Sequence, residues 1–216
     1  NINYTIAAFY VDWSDPQVNV STPSGAYYAV ANGDSAASKG LETEFNWAVS
    51  DSTTIFGGYT YVDAALTDDL YLHDASELTT GKSELRATDG AQLPGTAKNT
   101  INIGAKHITT LDSGLLLVSR VDGYYQSDVE NSILNIDPDW AATLPGFDLW
   151  FASTTLVGDH WSVSLVGKNL FNERGTVATY KEEYMTSDVA NGFYGTGQKD
   201  FITAPRTITL KASYRF

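Results

Sequence analysis

Three histidines, two acidic clusters and a pair of glutamates are the groups with which this chain could do acid–base or metal chemistry. His73 lies in a polar segment, His107 in an alternating apolar and polar run, and His160 between two such runs. Asp68, Asp69 and Asp74 surround His73, and hard cations favour carboxylate clusters; a solvated acidic loop is the ordinary reading of the same residues. Asp137 and Asp139 flank Pro138 and invite the same two readings. Glu42 and Glu44 share one face of an extended segment, where hydration or contact with a partner outweighs general acid–base work. His107 falls on the apolar phase near a strand end, a packing position. No Ser-His-Asp arrangement can be drawn, and no glycine-rich phosphate loop follows a strand. With no cysteine there is neither a disulfide framework nor a thiolate metal site. The expectation is a chain that is not an enzyme, with no catalytic residue, no metal site and no cofactor.

Binding chemistry has better candidates. Trp13, Tyr27, Tyr28, Trp140, Tyr180, Tyr184, Phe193 and Tyr194 are rings set among polar neighbours. Such rings stack on sugars or planar chelates, and they also pack a loop onto itself.

The elements that carry these residues read as strands. From Thr207 to Phe216, polar residues at Thr207, Thr209, Lys211, Ser213 and Arg215 alternate with apolar Ile208, Leu210, Ala212, Tyr214 and Phe216. A strand turns successive side chains to opposite faces, so one face is wet and the other apolar. Seven earlier strands are expected over about 3–11, 39–49, 53–62, 98–108, 115–125, 147–157 and 161–170. The sixth has aromatics in both phases, which leaves its faces undecided. Its neighbours do not: Glu42, Glu44, Lys106, Arg120, Asp122, Lys168, Lys211 and Arg215 all take the phase opposite the apolar stripe. Asp74 and Glu77 form a possible helix capping box.

Connections alternate between short turns and long segments at about 12–38, 63–95, 126–145 and 171–204. Outer-membrane barrels have that asymmetry, with short periplasmic turns and long extracellular loops. The alternation alone also fits a soluble barrel or sandwich with its charges outside. Strands of about ten residues, the loop asymmetry and the terminal aromatic favour the membrane. Apolar-face Phe45, Trp47, Trp161, Tyr214 and Phe216 would then form the periplasmic girdle, and Tyr10, Tyr59, Tyr61 and Tyr125 the outer one. No apolar run approaches the roughly 18 residues that a spanning helix needs, so insertion would use strands. The net charge of −13 argues against nucleic acid. The chain opens without the basic start and apolar stretch of a signal peptide.

Pro205-Arg206-Thr207 through Tyr214-Arg215-Phe216 resembles the carboxy-terminal assembly signal of bacterial outer-membrane proteins, with Tyr214 and Phe216 as its aromatic marks. Three further segments resemble TonB-dependent receptors. They are Ser38-Lys39-Gly40-Leu41-Glu42-Thr43-Glu44, Gly57-Gly58-Tyr59-Thr60-Tyr61-Val62-Asp63-Ala64 with Gln92-Leu93-Pro94-Gly95 downstream, and Lys168-Asn169-Leu170-Phe171-Asn172-Glu173. Asn172 stands where that family commonly has aspartate. The resemblance implies an all-β transmembrane antiparallel up-and-down barrel, with this chain (residues 1–216) as about the last eight strands of a 22-stranded one. Earlier strands and the plug, with its TonB box, would lie outside it. It implies a receptor in the bacterial outer membrane that binds a scarce nutrient at its extracellular loops and imports it. A ferric siderophore is the first expectation, with oligosaccharide or cobalamin as alternatives. The implied partners are the lipid bilayer and lipopolysaccharide, the TonB complex through the plug, the barrel-assembly machinery through the last strand, and a small-molecule or glycan ligand. The alternatives are a complete small eight-stranded barrel with a structural or adhesive role, and a soluble extracellular β-domain.

Overall fold

The computed structural model describes residues 1–21, 28–73, 83–133, 142–181 and 198–216, and every regular element among them is a strand. In chain order these are β1 (Ile2–Ser14), β2 (Gln17–Ser21), β3 (Tyr28–Asn32), β4 (Ser35–Ala48), β5 (Thr53–Leu66), β6 (Leu70–His73), β7 (Ser83–Ala87) and β8 (Asn99–Thr110). There follow β9 (Leu116–Gln126), β10 (Val129–Glu130), β11 (Thr143–Leu144), β12 (Phe147–Val157), β13 (Trp161–Lys168), β14 (Thr176–Lys181), β15 (Gln198–Ile202) and β16 (Thr207–Tyr214). One eight-stranded sheet runs β1-β4-β5-β8-β9-β12-β13-β16, and four two-stranded hairpins, β2–β3, β6–β7, β10–β11 and β14–β15, sit in the long connections. Every pairing in the large sheet is antiparallel.

Three tight turns join the sheet at one end. Thr53 N–H bonds Ser50 O at 3.3 Å, Gly114 N–H bonds Leu111 O at 2.9 Å, and Gly158 N–H bonds Trp161 O at 2.9 Å. The long connections all leave from the other end. They are shorter as loops than the sequence suggests. β1 continues to Ser14, β4 begins at Ser35 and β5 continues to Leu66. Ser35-Ala36-Ala37-Ser38 shows no apolar contrast, so alternation cannot mark it as strand. The ladder does, with Ala36 opposite both Trp13 and Leu66. At 13 or 14 residues, β1, β4 and β5 exceed the roughly 9–11 that a tilted strand needs to cross a bilayer, so they project beyond it. The last paired strand residue is Tyr214, although Arg215 N–H still reaches His160 O at 2.7 Å.

Direct cross-strand partners share a face, so the register fixes what the sequence left open. Ala152 lies opposite Val121 and Gly167, and Leu156 opposite Leu117 and Val163. Trp150, Ala152, Thr154 and Leu156 therefore join the apolar face; Leu149, Phe151, Ser153 and Thr155 join the polar one. Seven of the eight charges assigned to the polar phase fall on one face by the same test, and Arg215 follows the last ladder pair. Beyond the alternating stretch, four charges take the apolar face at the end of the long connections, Asp12 opposite Ala37 among them. Lys39 lies opposite Tyr10 and Asp63, and Asp148 opposite Tyr125. Lys39 Nζ pairs with Asp63 at 3.4 Å, Lys98 Nζ joins the same carboxylate at 3.9 Å, and Asp148 accepts from Trp150 Nε1 at 2.8 Å.

Among the described residues, nothing covers the apolar face. Mid-strand Ile103, Val121 and Leu165 are 47%, 40% and 48% exposed. A water-soluble sandwich would bury that stripe against a second sheet. The buried cluster lies instead at the loop end, where Ala36, Leu66, Leu70, Ala87, Ala91 and Ile133 pack with Leu93 against them.

Candidate ligand site at the loop end of the sheet

The segment Gln92-Leu93-Pro94-Gly95 builds the site. Gln92 bridges to Ala65, Leu93 N–H bonds Ala64 O at 2.9 Å, and Gly95 N–H bonds Glu130 O at 3.0 Å. Gln92 Nε2 donates to Thr96 O at 2.6 Å and closes the bend. Gly90 and Gly95 have φ of 81° and 75°, a left-handed conformation that disfavours any side chain. These bonds lay Leu93 and Pro94 across the end of β5. Pro16, which follows Asp15 at φ 52°, turns β1 into β2. Asn131 N–H bonds Ala142 O at 2.8 Å, and Asn131 Oδ1 accepts from Thr179 N–H at 3.3 Å, tying the third long connection to the fourth.

Between these segments lies a cavity of about 540 Å³ lined by Trp13, Gln17, Leu93, Pro94, Thr96 and Asn131 among others. Trp13 is half exposed and, by register, lies on the polar face with Phe9 and Glu42. Among the described residues the lining offers one indole ring, two carboxamides, the hydroxyls of Thr96 and Ser132, and aliphatic surface, with no ionisable side chain. That set can stack on and hydrogen-bond a ligand; it cannot activate a nucleophile or move a proton.

Of the aromatic candidates, Trp13 is the one whose side chain the structure describes, and it lines the cavity. Tyr28 opens β3 opposite Ser21, and Tyr180 lies in β14 opposite Lys199, so the backbones of both belong to hairpins. Tyr27, Trp140, Tyr184, Phe193 and Tyr194 lie outside the described residues, as do Asp74, Glu77, Asp137 and Asp139. Sequence reasoning missed Gln17, Thr96 and Asn131 as pocket residues. The Gln92-Leu93-Pro94-Gly95 motif was the available signal for the wall between them.

The acidic residues near His73 brace the fold. Ser35 Oγ donates to Asp68 Oδ2 at 2.8 Å, and Asp89 N–H donates to Asp69 Oδ1 at 2.8 Å. Among the described residues, no three His, Cys, Asp or Glu side chains gather as a metal site. His107 Nδ1 lies 2.8 Å from its ladder partner Thr53 Oγ1, on the apolar face as expected.

The polar face holds a second constellation. Lys106 and Arg120 stand directly opposite each other on β8 and β9. Arg120 turns along its own strand to Asp122, with Nε at 2.9 and 2.8 Å from the two carboxylate oxygens and Nη2 at 2.6 Å. Its guanidinium lies 4.7 Å from the Phe56 ring centroid. Glu44, Asn46 and Asn102 border the same hollow. Where the sheet ends on the turn side, Tyr214 and Phe216 stack edge-on at 5.2 Å, and Tyr214 lies opposite Trp161.

Comparison with known proteins agrees with this geometry. Residues 1–170 match the family model described as TonB dependent receptor-like, beta-barrel. No curated protein matches. Among solved structures, the siderophore receptor PiuA from Acinetobacter baumannii is 18% identical with a TM-score of 0.68, covering 99% of this chain and 26% of that one. The ferric yersiniabactin uptake receptor FyuA from Yersinia pestis is 15% identical with a TM-score of 0.71, covering 100% and 28%. The ferric citrate transporter FecA in unliganded form is 17% identical with a TM-score of 0.62, covering 100% and 29%. The chain thus spans about a quarter of the length of the structures it resembles.

Proposed function

Because this chain belongs to the TonB-dependent receptor β-barrel family, whose members reside in the bacterial outer membrane, we propose that it is a wall segment of a receptor that takes up a scarce nutrient. In this reading residues 1–216 are the carboxy-terminal part of one barrel, and ligand binds at the extracellular loops. Import then follows rearrangement of a plug driven by the TonB complex. A ferric siderophore is the leading cargo, in line with what PiuA and FyuA are named for. An oligosaccharide or cobalamin is the alternative.

The observation that carries the reading is the uncovered apolar face. Its stripe runs across all eight strands, with charge kept to the other face or to the loop end. Lipid is the environment that makes such a face stable, since a basic residue at mid-bilayer costs about 2–4 kcal/mol. The open sheet favours a large barrel over a complete small one. Closure of eight strands would pair β1 with β16, whereas among the described residues these are the two edge strands of the sheet, each paired on one side. Tyr214 and Phe216 fit a terminal mark read by the barrel-assembly machinery, and in this reading the Lys39–Asp63–Lys98 group would meet lipid headgroups and lipopolysaccharide.

The test is uptake by a strain lacking the gene, supplied in turn with labelled ferric chelates, oligosaccharides and cobalamin. Loss of uptake of one of them, restored by the gene and abolished by removing the proton-motive force, is the expected result. Equal uptake with and without the gene on every nutrient contradicts it.

A further inference from the structure

We propose that the nutrient admitted at this mouth is an uncharged molecule rich in hydroxyl or amide groups, seated against Trp13, and not an anionic iron chelate. This rests on the receptor reading above and narrows its ligand by charge.

The argument begins with where the charge lies. The four long connections, 12–38, 63–95, 126–145 and 171–204, hold 19 of the chain's 26 acidic residues and 5 of its 13 basic ones. They carry −14, and the rest of the chain carries +1, so the chain's net negative charge falls entirely within the four long connections. Of the three connections that contribute to the cavity, 12–38 and 126–145 together contain seven acidic residues and no basic one, and 63–95 contains seven acidic and two basic. A surface of one sign sets up potentials of several kT, repelling ligands of like sign and slowing their arrival. Ferric chelates built from citrate or catecholate carry net negative charge and would meet that field.

The cavity agrees with the field around it. Recognition of a carboxylate or catecholate calls for Arg or Lys donors, and among the described residues none lines this space. Gln17 and Asn131 each offer an amide donor and acceptor, and Thr96 a hydroxyl, which are partners for neutral polar groups. The exposed half of the Trp13 ring supplies a stacking platform. Two sources share this ligand chemistry: a neutral oligosaccharide and a neutral ferric trihydroxamate.

The experiment uses the full-length receptor in detergent micelles and follows binding calorimetrically at low and high salt. The probes are a neutral hexasaccharide, a neutral ferric trihydroxamate and ferric citrate. Binding of either neutral probe in preference to ferric citrate supports the proposal, and which of the two binds identifies the source. Trp13→Ala should then weaken that probe about tenfold and Trp13→Phe much less, with Gln17→Ala as a variant outside the eight-stranded sheet. Residual ferric citrate binding should strengthen as salt screens the repulsion. Preference for ferric citrate, with affinity falling as salt rises, overturns the proposal and leaves the receptor reading intact. Failure of both neutral probes to bind overturns it as well, while the receptor reading stands or falls on the uptake assay alone.

Discussion

Gly123 stands directly across the β9–β12 ladder from Trp150, and a methyl group on Gly123 would come within 2.9 Å of the indole ring. The same relation recurs between Gly104 and Phe56, where the added atom would meet the ring at 2.5 Å. Each glycine leaves room for a ring that lies flat across the strand, covering backbone that a glycine would otherwise expose. Gly123→Ala should therefore cost about 1–3 kcal/mol by overpacking. The full-length receptor, unfolded by urea from lipid vesicles, gives the measurement. Adding Trp150→Leu to Gly123→Ala should recover part of the loss, whereas strictly additive effects would show that the two residues do not interact.

Asn169 is the second point where sequence and structure meet in a specific bond pattern. It is buried, has φ of 50°, donates from Nδ2 to Glu173 O at 2.9 Å and Ala204 O at 2.8 Å, and accepts from Glu173 N–H at 2.8 Å. Asparagine tolerates that left-handed backbone better than most residues. Asn169→Ala should cost about 2–4 kcal/mol through unmet backbone groups and strain. Asn169→Gly, which relieves the strain and keeps the bond loss, should fall between. Proteolytic cleavage of the connection after β13 should rise in the same order.

On the polar face, Asp122 keeps Arg120 from facing Lys106 as an unmasked like charge. Asp122→Asn should lower stability, and Lys106→Gln in the same chain should restore it; like charges directly opposite are unfavourable. If Lys106→Gln gives the same change in both backgrounds, the cross-strand relation carries no energy.

A charge placed on the apolar face should be more damaging than one beside it. Leu165→Arg introduces a cation in mid-strand and should cost about 2–4 kcal/mol in a bilayer. Val166→Arg, one residue away on the polar face and opposite the uncharged Thr209 and Ser153, should cost little. Both variants can be compared by the yield of folded receptor in outer-membrane fractions and by urea unfolding.

Much of this architecture is legible in the sequence because period-2 alternation is strong where one face meets lipid and the other water. Thr207–Tyr214 and Trp161–Lys168 show it without ambiguity. It fades in Phe147–Val157, where Phe147, Leu149 and Phe151 put apolar bulk on the polar face, and only the pairing with β9 and β13 resolves the phase. It fades again in Ser35–Ser38, which is strand by ladder and not by pattern. The cavity was hardest to read. Trp13 can be nominated as a ring among polar residues, but Gln17, Thr96 and Asn131 are ordinary loop residues until the Leu93–Pro94 bend brings three connections together.

The most direct test of the whole account is which face of the sheet touches lipid. The chain has no cysteine, so single cysteines can be placed along β16 of the full-length receptor in vesicles, each with an environment-sensitive fluorophore, and challenged with brominated lipid. The account predicts quenching at positions 208, 210 and 212 and little at 207, 209 and 211, a strict two-residue period. Quenching at 207, 209 and 211 instead, or none at any position, would contradict it.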